Sequence, residues 1–270
     1  MLIGIVYGKY NKTLLLFVIN VMFFRSLFAF AVGFLFVVQV HAQERTVENR
    51  PYTDLRPFHF GVLVGAHFQD IEFENVGPQM VTNDDGTTSE RIITVDQDRY
   101  ETGFTVGVLG EARLGNYFAF RVAPALFFGT RHFSFHNFSQ TKEDGTAIEE
   151  KQDMKTAYIS TAFDLIYSAK RFNNHRPYAL IGLNPKLNLS IKDDDYIKLK
   201  PFDCFLEVGL GCDFYLPFFK LRPELKFGYS LTNALDTKHV NELKDRNAQI
   251  YAGSVKSAQT KFIALTFHFE

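Results

Sequence analysis

The sequence predicts an all-β fold, an eight-stranded antiparallel up-and-down transmembrane β-barrel with short periplasmic turns and long extracellular loops. Three observations point there. Apolar residues recur at every second position in eight separate segments, which is the period of a strand. The gaps between those segments alternate long and short. The composition is rich in aromatics yet polar on average, with Phe 30 and Tyr 12 in 270 residues and a mean hydropathy of -0.07. A helical membrane protein would be more apolar, whereas a barrel wall alternates lipid-facing and water-facing residues.

Residues 1–42 read as an export signal. Arg25 precedes an uncharged run from Ser26 to Val38, and Val40-His41-Ala42 places small residues before Gln43. This is the order of charge, apolar core and cleavage site in a secretory signal. Met22 opens a signal of ordinary length, which makes it a candidate start of translation. The apolar run is short for a spanning helix of about 20 residues. Residues 43–57 are polar, carry two prolines and read as a periplasmic linker; the barrel is expected over 58–270.

The eight expected strands follow in order. The first, 58–68, places Phe58, Phe60, Val62, Val64 and Phe68 on one face. The second, 103–114, alternates Phe104, Val106 and Val108 with Thr105, Gly107 and Glu111. The third, 118–135, sets Phe120, Val122, Leu126 and Phe128 against Arg121, Ala123 and Arg131. The fourth, 155–170, sets Ile159, Phe163 and Leu165 against Ser160, Asp164 and Lys170. The fifth, 176–189, contains Pro185, which suggests a bulge or weak pairing. The sixth, 200–216, has the longest alternation, from Phe202 to Leu216. The seventh, 220–231, and the eighth, 259–269, complete the ring. The short gaps are 115–117, 171–175 and 217–219. The long ones are 69–102, 136–154, 190–199 and 232–258. Short turns on one side and long loops on the other are the habit of outer-membrane barrels with both termini inside. A lipocalin-like soluble barrel gives no reason for that asymmetry.

With the apolar face toward lipid, the other face lines the lumen. Its charged candidates are Glu111, Arg113, Arg121, Asp164, Asp203, Glu207, Asp213, Arg222, Glu224 and Lys226, joined by Arg131 and Lys170. The interior of an eight-stranded barrel is just filled by side chains. Charges buried there must pair, because an unpaired one costs several kcal/mol. A structural charge network is therefore expected rather than a proton path or binding site. Such a lumen is too narrow for a folded protein or a sugar chain. The lumen-side glycines Gly61, Gly65, Gly107, Gly209 and Gly211 are expected to make room for Tyr215 and the arginines.

Other chemistry is not indicated. Net charge is -1, so no basic field invites nucleic acid. No GxSxG, HExxH or phosphate-cradling glycine loop is present, so the chain is expected to be neither an enzyme nor a cofactor protein. His132 and His136, four apart on a strand, form no metal cluster. Asp193-Asp194-Asp195 reads as a solvated loop tip and Asp84-Asp85-Gly86 as a turn. Cys204 and Cys212 would lie roughly 26 Å apart along one strand, too far for a disulfide.

Three stretches carry a family resemblance. They are RPFHFGVLVGAHF (56–68), NNHRPYALIG (173–182) and FLEVGLGCDFYLPFFKLRPELKFG (205–228). Together they resemble the PorT (SprT) family of Bacteroidetes outer-membrane barrels, over nearly the whole exported chain. The resemblance implies an outer-membrane location, a role in type IX protein secretion and, in gliding species, in motility. It also implies other type IX subunits as partners, beside outer-membrane lipids and the machinery that inserts barrels. It assigns no catalytic residues. The narrow lumen makes an accessory or assembly role the expectation, not the conduit. The competing expectation is a structural or adhesive barrel that binds a surface partner through its outer loops.

Overall fold

The computed structural model describes residues 47–82, 87–141, 147–191 and 195–270. The expected signal segment, Asp84-Asp85-Gly86 and Asp193-Asp194 lie outside the described residues. The strands are β1 (Phe58–Asn75), β2 (Pro78–Thr82), β3 (Thr88–Tyr100), β4 (Thr102–Arg113), β5 (Phe118–Thr141), β6 (Ala147–Ser168), β7 (His175–Asn188), β8 (Phe202–Tyr215), β9 (Lys220–Ser230) and β10 (Val255–Phe269). The single described α-helix, α1, spans Arg246–Ala252.

Eight strands close a ring in the order β5-β4-β1-β10-β9-β8-β7-β6, with β6 returning to β5. Every pairing in the ring is antiparallel. The seam between the first and last strands runs from Val62↔Phe269 to Asn75↔Val255. Closure leaves the eight-stranded ring without a free sheet edge, the condition for a sheet to stand in lipid. The outward residues of the lower wall are exposed and apolar, among them Phe60, Val62, Phe104, Val108, Ile159, Phe163, Leu210, Phe227 and Ile263. Pro185 does not shift the register. It pairs with Cys204 in an uninterrupted β7–β8 ladder, while the β6–β7 ladder skips from Lys186 to Leu183, so the weak pairing falls on the β6 side alone.

Two expected long loops are largely strand. β5 has 24 residues and β6 has 22, about twice the ~9–11 that cross a bilayer. β1 continues past Phe68 to Asn75, and β3 takes over the edge of β5 where β4 ends. β3 and β4 thus form one path beside β5, broken at Glu101. Where β1 faces β3, side chains close part of the gap: Asn75 Oδ1 accepts from the Val95 amide at 2.8 Å, and Gln97 Oε1 accepts from the Ile71 amide at 3.1 Å. β2 pairs with β3 as an outer hairpin.

The reason these extensions escape a simple pattern is an inversion. Below, apolar residues face out. Above Phe68 the same alternation continues with its polarity reversed: Asp70, Glu72 and Glu74 face out, while Ile71 is buried. On β5, Phe133 and Phe135 turn inward, and Ile93 and Val95 do so on β3. The lower wall is built for lipid and the upper wall for water.

Candidate functional site

The lumen is the concave surface, and it is filled in layers. Nearest the short turns, Arg222 Nη1 lies 2.5 Å from Glu270 Oε1 and 2.6 Å from Glu111 Oε2, and its Nε lies 2.6 Å from Asp213. Lys220 pairs with Glu270 beside it. The next layer centres on Glu224, which receives Arg121 and the Tyr178 hydroxyl, each at 2.7 Å. Arg121 also reaches Glu111 at 3.2 Å. Above them Lys226 sits 2.7 Å from Asp164 and 3.3 Å from Glu207, and Asn184 donates to Glu207. Arg121, Arg222, Asp164 and Glu224 are fully enclosed.

Eight of the expected network residues therefore meet: Glu111, Arg121, Asp164, Glu207, Asp213, Arg222, Glu224 and Lys226. The strand period put them on one face, and the ring brought them together. Two lie elsewhere. Arg113 has the inward phase but stands at the rim, donating to the Gly115 carbonyl at 3.0 Å and to Asn116 at 2.8 Å. Asp203 forms no ion pair among the described residues; the Ser230 and Thr232 hydroxyls donate to it at 2.7 and 2.6 Å. Lys170 falls beyond the end of β6 at Ser168 and is exposed. Of the expected glycines only Gly211 makes room for a ring, that of Tyr178 and not Tyr215 or an arginine; Gly61, Gly65, Gly107 and Gly209 lie close against the neighbouring strands instead. The Phe262 ring likewise lies against Gly228, with no room for a Cβ at either Gly211 or Gly228.

Sequence reasoning missed the middle of the lumen. Lys186 Nζ lies 3.6 Å from the centroid of Phe262, 4.2 Å from Phe127 and 4.3 Å from Phe205. Such a cage holds a cation by the negative faces of its rings. The weak alternation around Pro185 hid Lys186. One level up, Arg131 donates to Gln69 at 2.9 Å, and Gln69 meets the His67 ring at 2.9 Å. A void of about 30 Å³ remains in mid-lumen, far too small for a solute larger than water.

Both mouths are covered. At the outer end Ile71, Ile93, Val95, Phe133 and Phe135 pack with Ile197, Leu199, Leu235 and Tyr251 from the loops. Those loops are held by a bridge between Leu199 and Leu235 and by α1, whose first turn is capped by Asp245 accepting from the Asn247 amide. At the short-turn end residues 49–54, part of the stretch expected as a periplasmic linker, cross the opening. Asn49 donates to the Tyr215 carbonyl at 3.0 Å, the Tyr215 hydroxyl donates to Asp54 at 2.6 Å, and Arg171 stacks on the Tyr215 ring at 3.6 Å. On the outer surface beyond the lipid-facing wall, His132 lies 2.6 Å from Asp153 and 3.0 Å from Glu101. The hydrogen bond with Asp153 raises its pKa above the ordinary histidine value. Among the described residues no cluster of metal-ligating side chains occurs.

The model of one family, described as outer membrane protein beta-barrel domain, matches residues 41–236. No curated protein matches. Three solved structures are similar over most of the chain at low identity. OprG of Pseudomonas aeruginosa is 12% identical with a TM-score of 0.42, covering 78% of this chain and 93% of its own. Neisserial surface protein A is 13% identical with a TM-score of 0.36, covering 79% and 98%. Ail, the attachment invasion locus protein of Yersinia pestis, solved with the heparin analogue sucrose octasulfate, is 12% identical with a TM-score of 0.33, covering 79% and 99%.

Proposed function

The chain belongs to the outer membrane protein beta-barrel domain family, and from that premise we propose that it is a non-catalytic, non-conducting subunit of the type IX secretion apparatus. The observation that carries the non-conducting part is the filled and doubly covered lumen. A conduit needs an open path, and here ion pairs, an aromatic cage and an apolar cap occupy it. Work done by such a barrel is done on its outside: at the periplasmic turns, the lipid-facing wall or the raised outer rim. The link to type IX secretion rests on the resemblance of residues 56–68, 173–182 and 205–228 to PorT-like barrels, and it makes other type IX subunits the partners. Residues 1–42 act in this reading as the cleaved export signal, leaving Gln43 as the first residue of the mature chain. The test is a clean deletion of the gene, with mass spectrometry of culture supernatant and periplasm. Proteins with C-terminal sorting domains should vanish outside and accumulate inside. An unchanged secretome refutes the secretion role.

A second reading has its own support. The β2–β3 hairpin and its surroundings expose Met80, Val76 and Phe138 above the membrane. Isolated apolar residues there suit a surface-binding barrel. Its signature is loss of partner binding, with export unchanged, when the hairpin is trimmed.

A further inference from the structure

At the short-turn rim a pocket of about 260 Å³ lies between the N-terminal crossing segment and the turns after β4 and β6. It is lined by Arg113, Lys170, Arg171 and Arg176, with Asp54, Leu55, Asn116 and Tyr117. Four cations thus face one carboxylate. The arginines are fixed largely by carbonyl oxygens, which hold a guanidinium without neutralising it. Arg113 donates to Gly115 and Leu55, Arg171 to Asn173 and Arg50, and Arg176 to Ala169 at 3.0 Å and Asn116 at 2.9 Å. Asp54 stands 3.6 Å from Arg176 and 3.9 Å from Arg171, and it also accepts from Tyr215. Lys170 is exposed and makes no ion pair among the described residues. Uncompensated cations converging on a concavity make an anion site.

The level of the pocket says which anion. Tyr117 lines it and is itself half exposed, 6.3 Å from Tyr167 in ring centroids, and the Phe118 ring lies tilted against Tyr167 at 5.2 Å. Leu114, Phe172 and Phe218 are exposed around the same rim, Phe218 at 92%. Aromatic side chains at the end of a lipid-facing wall mark the headgroup level. An anion bound beside Tyr117 is therefore at the depth of lipid phosphates, with apolar surface just above for acyl chains.

We propose that this rim pocket binds the phosphate of an inner-leaflet phospholipid headgroup. Arg113, Lys170 and Arg176 are its donors, and Leu114 and Tyr117 form the wall for the chains. Basic pockets at the interface recognise anionic headgroups in this way. The site is independent of the role in secretion.

The test uses the full barrel in mild detergent and native mass spectrometry with added phosphatidylglycerol. Diacylglycerol, which has the chains without the phosphate, is the control. An Arg113→Gln/Lys170→Gln double variant should bind phosphatidylglycerol roughly thirtyfold more weakly, with diacylglycerol unchanged. Lys170→Gln alone, which breaks no contact that shapes a turn, should show part of the loss. A matched change on the far side, Lys151→Gln, should show none. Retained heat-modifiable mobility in SDS certifies each fold. Equal phosphatidylglycerol affinity in wild type and double variant overturns the proposal. So does inorganic phosphate that binds as tightly as the lipid, which makes the site one for a free anion. Protection of Lys170 from amine labelling by a periplasmic protein but not by lipid also overturns it, in favour of an acidic protein segment.

Discussion

Arg222 shows how much rests on single side chains in this lumen. It faces Glu111, Asp213 and Glu270 at 2.5–2.6 Å from a site that is 1% exposed. Arg222→Met removes the cation and leaves three carboxylates without their common partner. Breaking a buried pair costs about 3–5 kcal/mol, so urea unfolding of the refolded barrel should shift to much lower denaturant. Arg222→Lys keeps the charge without the guanidinium fork and should lose less. A second test concerns shape. Gly228 lies under the Phe262 ring, and that ring is pinned by Phe127, Phe205 and Lys186. Gly228→Ala should cost about 1–3 kcal/mol as overpacking, and adding Phe262→Leu should recover part of it in the same assay. The charged network residues were legible because the period of two assigns a face to each residue type. Lys186 was not, because its cage is built from Phe127, Phe205 and Phe262 on three other strands. Arg113 and Lys170 were given the right phase, but a phase does not say where the wall ends.

Elements were legible wherever the apolar face looks outward. Over 58–68 and 202–216 a strand, its faces and its neighbours follow from the alternation alone. Past Phe68 the alternation persists but its polarity inverts, so Ile71 and Ile93 read as scattered apolar residues in a polar loop, and Phe135 reads as the last residue of its strand. They are the inward row of a wall standing in water. The hairpin above that wall carries little of it. β2 pairs only with β3, whereas β3 pairs with β5 from Ile93 onward. Replacing residues 77–91 with a short turn keeps Ile93 and Val95 in the cap. The variant should retain the mobility difference between heated and unheated samples in SDS gels. Loss of that difference would show that the hairpin is needed to close the ring.

At the scale of the molecule, the sequence carries the ring but not its covers. The number and direction of strands follow from eight periodic segments and their alternating gaps. The covers come from 49–54, 195–199 and 232–258, which have no period, and whose places depend on contacts such as Leu199↔Leu235 and Tyr215 with Asp54. Those covers set the behaviour of the whole barrel in a bilayer. The purified protein should give no steady conductance in planar membranes. Deleting residues 47–56 uncovers the short-turn mouth, yet Arg222, Arg121 and Lys226 still cross the bore with their carboxylates, so the deletion alone should not open it. Removing the outer cap instead exposes Ile71 and Phe135 to water but leaves the same ion pairs below. A path for ions requires the charged layers to be dismantled, for example with Arg121→Ser and Arg222→Ser on top of the N-terminal deletion. Small, variable currents should appear in that combination. Conductance from the unmodified chain would mean that the layers open in the membrane, and the non-conducting reading would fall with it.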